Sequence, residues 1–62
     1  TVIRSFAYSP DDRRLLIEFQ NGRSYSYADV PAQEVEAMRT AFSKGSYFNR
    51  RIRDRYRAQR ID

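Results

Sequence analysis

Apolar and polar residues alternate at a period of two through the first half of the chain and recur at three- and four-residue spacing through the second. Val2-Ile3-Arg4-Ser5-Phe6-Ala7-Tyr8 is a short run rich in apolar and aromatic residues and predicts a strand over 2–8. Ser9-Pro10-Asp11-Asp12 predicts a turn, because Pro10 presets φ and the aspartates can bond their own backbone. Leu15-Leu16-Ile17-Glu18-Phe19 and Tyr25-Ser26-Tyr27 predict a second and a third strand, parted by Asn21-Gly22. From Pro31 onward the period changes. Pro31 opens a helix with Asp29 or Val30 at its cap and Glu34 in its first turn, and Val35, Met38 and Phe42 form one apolar stripe. Ser43 is placed to cap a second helix running through Tyr47, Phe48 and Ile52. Strands followed by helices give an α+β fold: a three-stranded antiparallel meander, then two helices packed on one face.

The hairpin register decides where the tyrosines point. A two-residue Asn21-Gly22 loop pairs Glu18 with Tyr25 and Leu16 with Tyr27, which puts both rings on the solvent side with Glu18. A three-residue Gln20-Asn21-Gly22 loop, with Gly22 left-handed, pairs Ile17 with Tyr25 and Leu15 with Tyr27. Leu15, Ile17, Phe19, Tyr25 and Tyr27 then share one apolar face, with Glu18, Gln20, Ser24 and Ser26 opposite. A one-residue slip exchanges the two faces, so the registers exclude one another. The cleaner alternation favours the three-residue loop.

At 62 residues the chain holds one domain, and a domain of this size buries only ~60% of the surface its unfolded chain exposes. It has no cysteine and no histidine, which removes disulfides, Cys/His zinc sites and Cys-His or Ser-His-Asp nucleophiles. Asp11-Asp12 lies in a turn and Glu34/Glu36 on a helix surface, so neither pair suits acid–base work; no enzyme activity and no cofactor are expected. No apolar run approaches the ~20 residues of a membrane span. The chain opens on Thr1 rather than Met and carries no charged-then-apolar leader, and the expectation is a trimmed or excised segment working in the cytoplasm. Charge is uneven. Residues 1–43 hold five arginines (4, 13, 14, 23, 39) against six acids (11, 12, 18, 29, 34, 36), a balance of −1. Residues 44–62 hold Lys44 and Arg50, Arg51, Arg53, Arg55, Arg57 and Arg60 against Asp54 and Asp62, a balance of +5.

Ile3…Tyr8, Leu15-x-Ile17-Glu18-Phe19, Asn21-Gly22, Tyr25-Ser26-Tyr27, Val30-Pro31 and Ser43-Lys44-Gly45-Ser46-Tyr47-Phe48-Asn49-x-x-Ile52-Arg53 together resemble the KTSC domain. The resemblance runs over essentially the whole chain, and the Tyr-x-Tyr and Ser-Lys-Gly-x-Tyr-Phe-Asn segments are its most specific parts. It implies a small bacterial domain, found alone and as a C-terminal extension of some lysyl-tRNA synthetases, with RNA binding as the suggested role. Members commonly continue as Arg-Gly-Arg-Tyr-Pro, whereas this chain reads Arg53-Asp54-Arg55-Tyr56-Arg57. Asp54 is less suited than glycine to a left-handed helix end, and without the proline the second helix is free to run on.

The basic segment carries the candidate chemistry. Continued through Arg60, the helix would repeat Phe48, Ile52 and Tyr56 against the sheet and gather Arg50, Arg53 and Arg57 within roughly 60° on another face. Guanidinium groups offer bidentate donors and stay charged at any cellular pH, which suits phosphate; eleven of the twelve cations are arginine. Lys44, Arg50, Arg51, Arg53, Arg55 and Arg57, with Asn49 as an amide able to reach bases, are the candidate nucleic-acid-binding residues. Their plainer role is a solvated surface, or pairing with Asp54 and the Glu34/Glu36 helix; for Asn49 the favoured role is a bond to backbone where helix meets sheet. Tyr25 and Tyr27 could stack bases, but the favoured register makes them core. Ser43-Lys44-Gly45-Ser46 lacks the glycines of a nucleotide loop and reads as a helix start with room for one phosphate. The expected partner is RNA or DNA backbone. The alternative is a protein-interaction domain that uses its basic surface, or an exposed edge at 2–8 or 23–28, against an acidic partner or a second copy; oligomeric state stays open. A membrane partner is not expected.

Overall fold

The computed structural model describes residues 3–62. Its elements run β1 (Ile3–Ser9), β2 (Arg14–Phe19), β3 (Ser24–Tyr27), α1 (Ala32–Arg39), α2 (Lys44–Arg51) and β4 (Ala58–Arg60). The four strands form one antiparallel sheet in the order β1-β2-β3-β4. The α+β meander with two helices on one face is present, with a fourth short strand added at its end. Val2, expected to open the first strand, lies outside the described residues.

The hairpin takes the three-residue loop. Ile17 faces Tyr25 and Leu15 faces Tyr27, Gly22 has φ +91°, and the Asn21 side chain accepts a hydrogen bond from the Arg23 N–H at 3.0 Å. Alternation therefore puts Leu15, Ile17 and Tyr27 under the helices. They join Val30, Val35, Met38, Phe48 and Ile52 in the buried core, with Phe6, Tyr8, Phe19, Tyr25, Tyr47 and Tyr56 packed around it. Phe48 is central: its ring meets Phe19 and Tyr27 edge-on, at 5.5 and 5.3 Å between centroids. The Tyr8 hydroxyl donates to the Val30 carbonyl at 2.7 Å and pins β1 to the loop that enters α1.

The start of α1 differs from expectation. Asp29 takes a left-handed φ of +59°, Val30 is buried, and the cap position is Pro31, whose extended backbone opens the helix with no side-chain bond. The end of α1 differs too. The Thr40 hydroxyl and N–H both bond the Glu36 carbonyl, the helix stops at Arg39, and Phe42 leaves the Val35/Met38 stripe to stand wholly in solvent. Ser43 caps α2 as expected, its hydroxyl accepting from the Ser46 N–H at 3.2 Å.

The largest correction falls on the basic segment. The helix does not run to Arg60. It ends at Arg51, and the Ile52 carbonyl accepts from the Arg55 and Tyr56 N–H groups in a turn that brings the chain to β4. The physical reason is the open side of β3. Ser24–Tyr27 would otherwise present a row of unpaired backbone groups, and β4 satisfies them: Tyr25, Ser26 and Tyr27 face Arg60, Gln59 and Ala58. Bonds from Ala28 N–H to the Arg57 carbonyl and from Ile61 N–H to the Ser24 carbonyl extend the pairing at both ends. Residues 23–28 are thus no sheet edge; β1 and β4 are. Asp54 does not adopt a left-handed φ, so the turn needs no glycine there.

Candidate nucleic-acid interface

The first residue of α2 is Lys44, and its last turn carries Asn49, Arg50 and Arg51; Arg53, Arg55 and Arg57 lie in the connection to β4. All six cations are exposed. The single helical face of Arg50, Arg53 and Arg57 does not form, because the three sit on different pieces of backbone. Arg50 folds back so that its Nε donates to the Ser46 carbonyl at 3.4 Å, and it borders a shallow depression of about 360 Å³ shared with Ala41, Phe42, Ser43 and Ser46.

Arg53 and Asn49 meet elsewhere. They line a groove of about 560 Å³ between the hairpin and the end of α2, floored by Phe19, Tyr27 and Phe48. Tyr25 forms part of its wall and is half-buried, edge-on to Phe19 at 5.9 Å and tilted against Tyr27 at 6.5 Å. Asn21 and Arg23 contribute from the hairpin, Asp54 and Ala58 from the far side. Burial pushes the Tyr27 phenol up from its ordinary value; Tyr25 and Asp54 add to the rise and the Arg53 guanidinium opposes it. Both charged groups therefore act on the floor of the groove. The expected backbone contact of Asn49 is not made: its Oδ1 is buried with no hydrogen-bond partner.

Ion pairing leaves the basic surface free. Among the described residues the ion pairs are Arg4–Glu18 at 3.9 Å, Arg39–Glu36 at 2.6 Å and Arg60–Asp62 at 3.0 Å. Asp54 and Glu34 take no arginine, so the pairing foreseen for the segment does not occur. Neither does any described group of His, Cys, Asp and Glu residues form a set that could hold a metal ion.

Sequence reasoning missed Arg23, Phe19 and Asn21 at this groove. The signal was present, since the register that turns Tyr25 and Tyr27 inward also puts Arg23 on their side, opposite Phe19. Phe42 was assigned to the core and is the most exposed large apolar residue of those described.

The family model for the KTSC domain matches residues 1–56. The chain belongs to the KTSC family. A KTSC domain protein from Yersinia pestis has a crystal structure that superposes with a TM-score of 0.90 at 34% identity, over 97% of this chain and 84% of that one. An uncharacterised protein of Stutzerimonas stutzeri is 39% identical and matches over 97% of this chain and 86% of its own length. A lysine–tRNA ligase of Nostoc punctiforme is 34% identical over 98% of the chain, which spans only 11% of the ligase. KTSC domains thus occur both as most of a small protein and as a small part of a lysine–tRNA ligase. No helix among the described residues is long and apolar enough to cross a membrane.

Proposed function

We propose that this KTSC domain is a non-catalytic accessory module that contacts RNA or DNA backbone through Lys44, Arg50, Arg51, Arg53, Arg55 and Arg57, with Asn49 beside them. The observation that carries this is the set of six exposed cations between residues 44 and 57 that no carboxylate among the described residues pairs with. Guanidinium groups held at a surface without carboxylate partners are free to take phosphate oxygens in pairs. The ligase relatives, whose name makes tRNA their substrate, support nucleic acid as the partner.

Neutralising phosphates releases counterions, so affinity must fall with salt. If about four phosphates are contacted, a labelled tRNA or oligonucleotide binds roughly a hundredfold more weakly at about 200 mM than at about 50 mM salt. Fluorescence anisotropy at the two salts measures this directly. Replacing Arg50, Arg51 and Arg55 by alanine should lower the salt slope by about one for each arginine that touches phosphate. No binding at low salt, or a triple variant that binds like the parent, rejects the proposal.

A protein-interaction role is the second reading, and β1 favours it: as an outer strand it can accept a further strand from an acidic partner or a second copy. Native mass measurement with and without nucleic acid separates the two.

A further inference from the structure

The groove between hairpin and α2 differs in kind from the exposed arginines around it. Its volume of about 560 Å³ falls in the ~300–1,000 Å³ range of small-molecule sites, and its floor is aromatic. Two cations enter it from separate elements, Arg23 after the hairpin loop and Arg53 after α2. Two acceptors enter it as well: the Asp54 carboxylate, which has no ion-pair partner among the described residues, and the Asn49 amide, whose Oδ1 is buried without a hydrogen bond. No hydrogen bond fixes that amide, and its terminal torsion is a broad one, so its acceptor can turn to a ligand. A buried acceptor left unpaired weakens a domain of this size, and a ligand that donates to it recovers the loss.

We infer that this groove holds one unpaired guanine nucleotide of a single strand. The base lies against Tyr25, its N1–H and exocyclic amino group donate to Asp54 and Asn49, and Arg23 and Arg53 take its phosphate and the O6/N7 edge. Aromatic walls accept any base by stacking, and choice comes from the polar groups. Guanine alone joins two adjacent donors on its pairing edge to two acceptors on its O6/N7 edge, the pair that arginine reads. Adenine would set its N1 lone pair against the Asp54 carboxylate, and uracil offers one donor between two acceptors. A site built to accept hydrogen bonds rejects ligands that lack the donors.

The inference deepens the nucleic-acid role proposed above, and mononucleotides test it without relying on backbone binding. The 15N-labelled domain is titrated with 5′-GMP, 5′-AMP, 5′-UMP and inorganic phosphate while amide shifts are followed. Expected are saturable shifts confined to residues 21–25, 49, 53 and 54, with 5′-GMP saturating at a concentration roughly tenfold below 5′-AMP. Asp54 is exposed, so D54N should keep the fold and bring 5′-GMP and 5′-AMP to parity; Y25L should weaken all nucleotides about tenfold. Equal responses to all four probes, or 5′-GMP shifts centred on Arg50 and Arg55, overturn the inference. Oligonucleotide binding without any 5′-GMP preference removes the pocket and leaves the backbone role standing. A groove that binds 5′-GMP in a domain that binds no tRNA at low salt does the reverse.

Discussion

Asn49→Leu should make the domain more stable and less able to take a nucleotide. Asn49 sits in the last turn of α2 beside Phe48, and its Oδ1 is buried with no partner. Leaving an acceptor dry and unpaired costs about 1–3 kcal/mol relative to an apolar group of the same shape. Leucine repeats the branched skeleton of asparagine, with bulkier methyl groups that have the open groove to extend into, and has a better helix propensity, by a few tenths of a kcal/mol. The residue as a whole is only half-buried, so the lower part of the range applies and the net gain is about 1 kcal/mol. For a domain of this length that raises Tm by roughly 4–8 °C. Urea denaturation followed by circular dichroism reads the same change as a higher midpoint at unchanged slope. The 5′-GMP preference should disappear in the same protein. A variant that is destabilised by 1 kcal/mol or more, in the same order of magnitude as the predicted gain, would refute the reasoning, because it would show that Asn49 makes a bond essential to the fold.

Phe48→Ala should abolish cooperative unfolding, since truncating a buried aromatic costs ~3–5 kcal/mol and this ring also loses edge-on contacts with Phe19 and Tyr27. A thermal melt that keeps a sharp transition would contradict this. Stability should decline at alkaline pH through Tyr27, whose phenol is raised in the fold by burial. Above about pH 10 the unfolded phenol ionises while the folded one keeps its proton, so the group's contribution is whole below that value and is lost as pH climbs through the folded value. Denaturation midpoints at about pH 9 and about pH 11 should therefore converge in Tyr27→Phe relative to the parent.

The sheet was legible from the sequence because its signals are local and mutually exclusive. Alternation in 15–19 and 25–27 and one glycine able to adopt a positive φ leave two registers, and only one puts five apolar side chains on a common face. Ser43 at the α2 cap was legible for the same reason, as a single hydroxyl three residues before the N–H it serves. What failed was each inference that stretched helical period across a boundary. Val35, Met38 and Phe42 match the period, yet Thr40 diverts the chain before the third is reached. Phe48, Ile52 and Tyr56 also match, and all three do touch the core, but the last does so from a turn. Periodicity reports which side chains are wanted inside, and a turn can deliver them as well as a helix can.

The end of α2 was decided by a non-local demand. Nothing in Arg53-Asp54-Arg55-Tyr56-Arg57 marks a strand to come; β4 exists because β3 offers unpaired backbone that lies thirty or so residues away in sequence and beside it in space. That same pairing built the candidate site. Had the helix continued, Arg53 and Asp54 would have been carried off along its axis, away from the hairpin wall of Phe19, Arg23 and Tyr25. By turning back to pair Ala58–Arg60 with β3, the chain leaves Arg53 and Asp54 at the mouth of an aromatic groove, one on each side of the charge balance. Fold and chemistry are coupled here through one short strand, and the net charge of the segment conceals it. A helix of arginines would offer phosphate only a field, whereas a turn that holds a cation and an anion against aromatic rings offers a nucleotide a shape and a pattern of donors and acceptors.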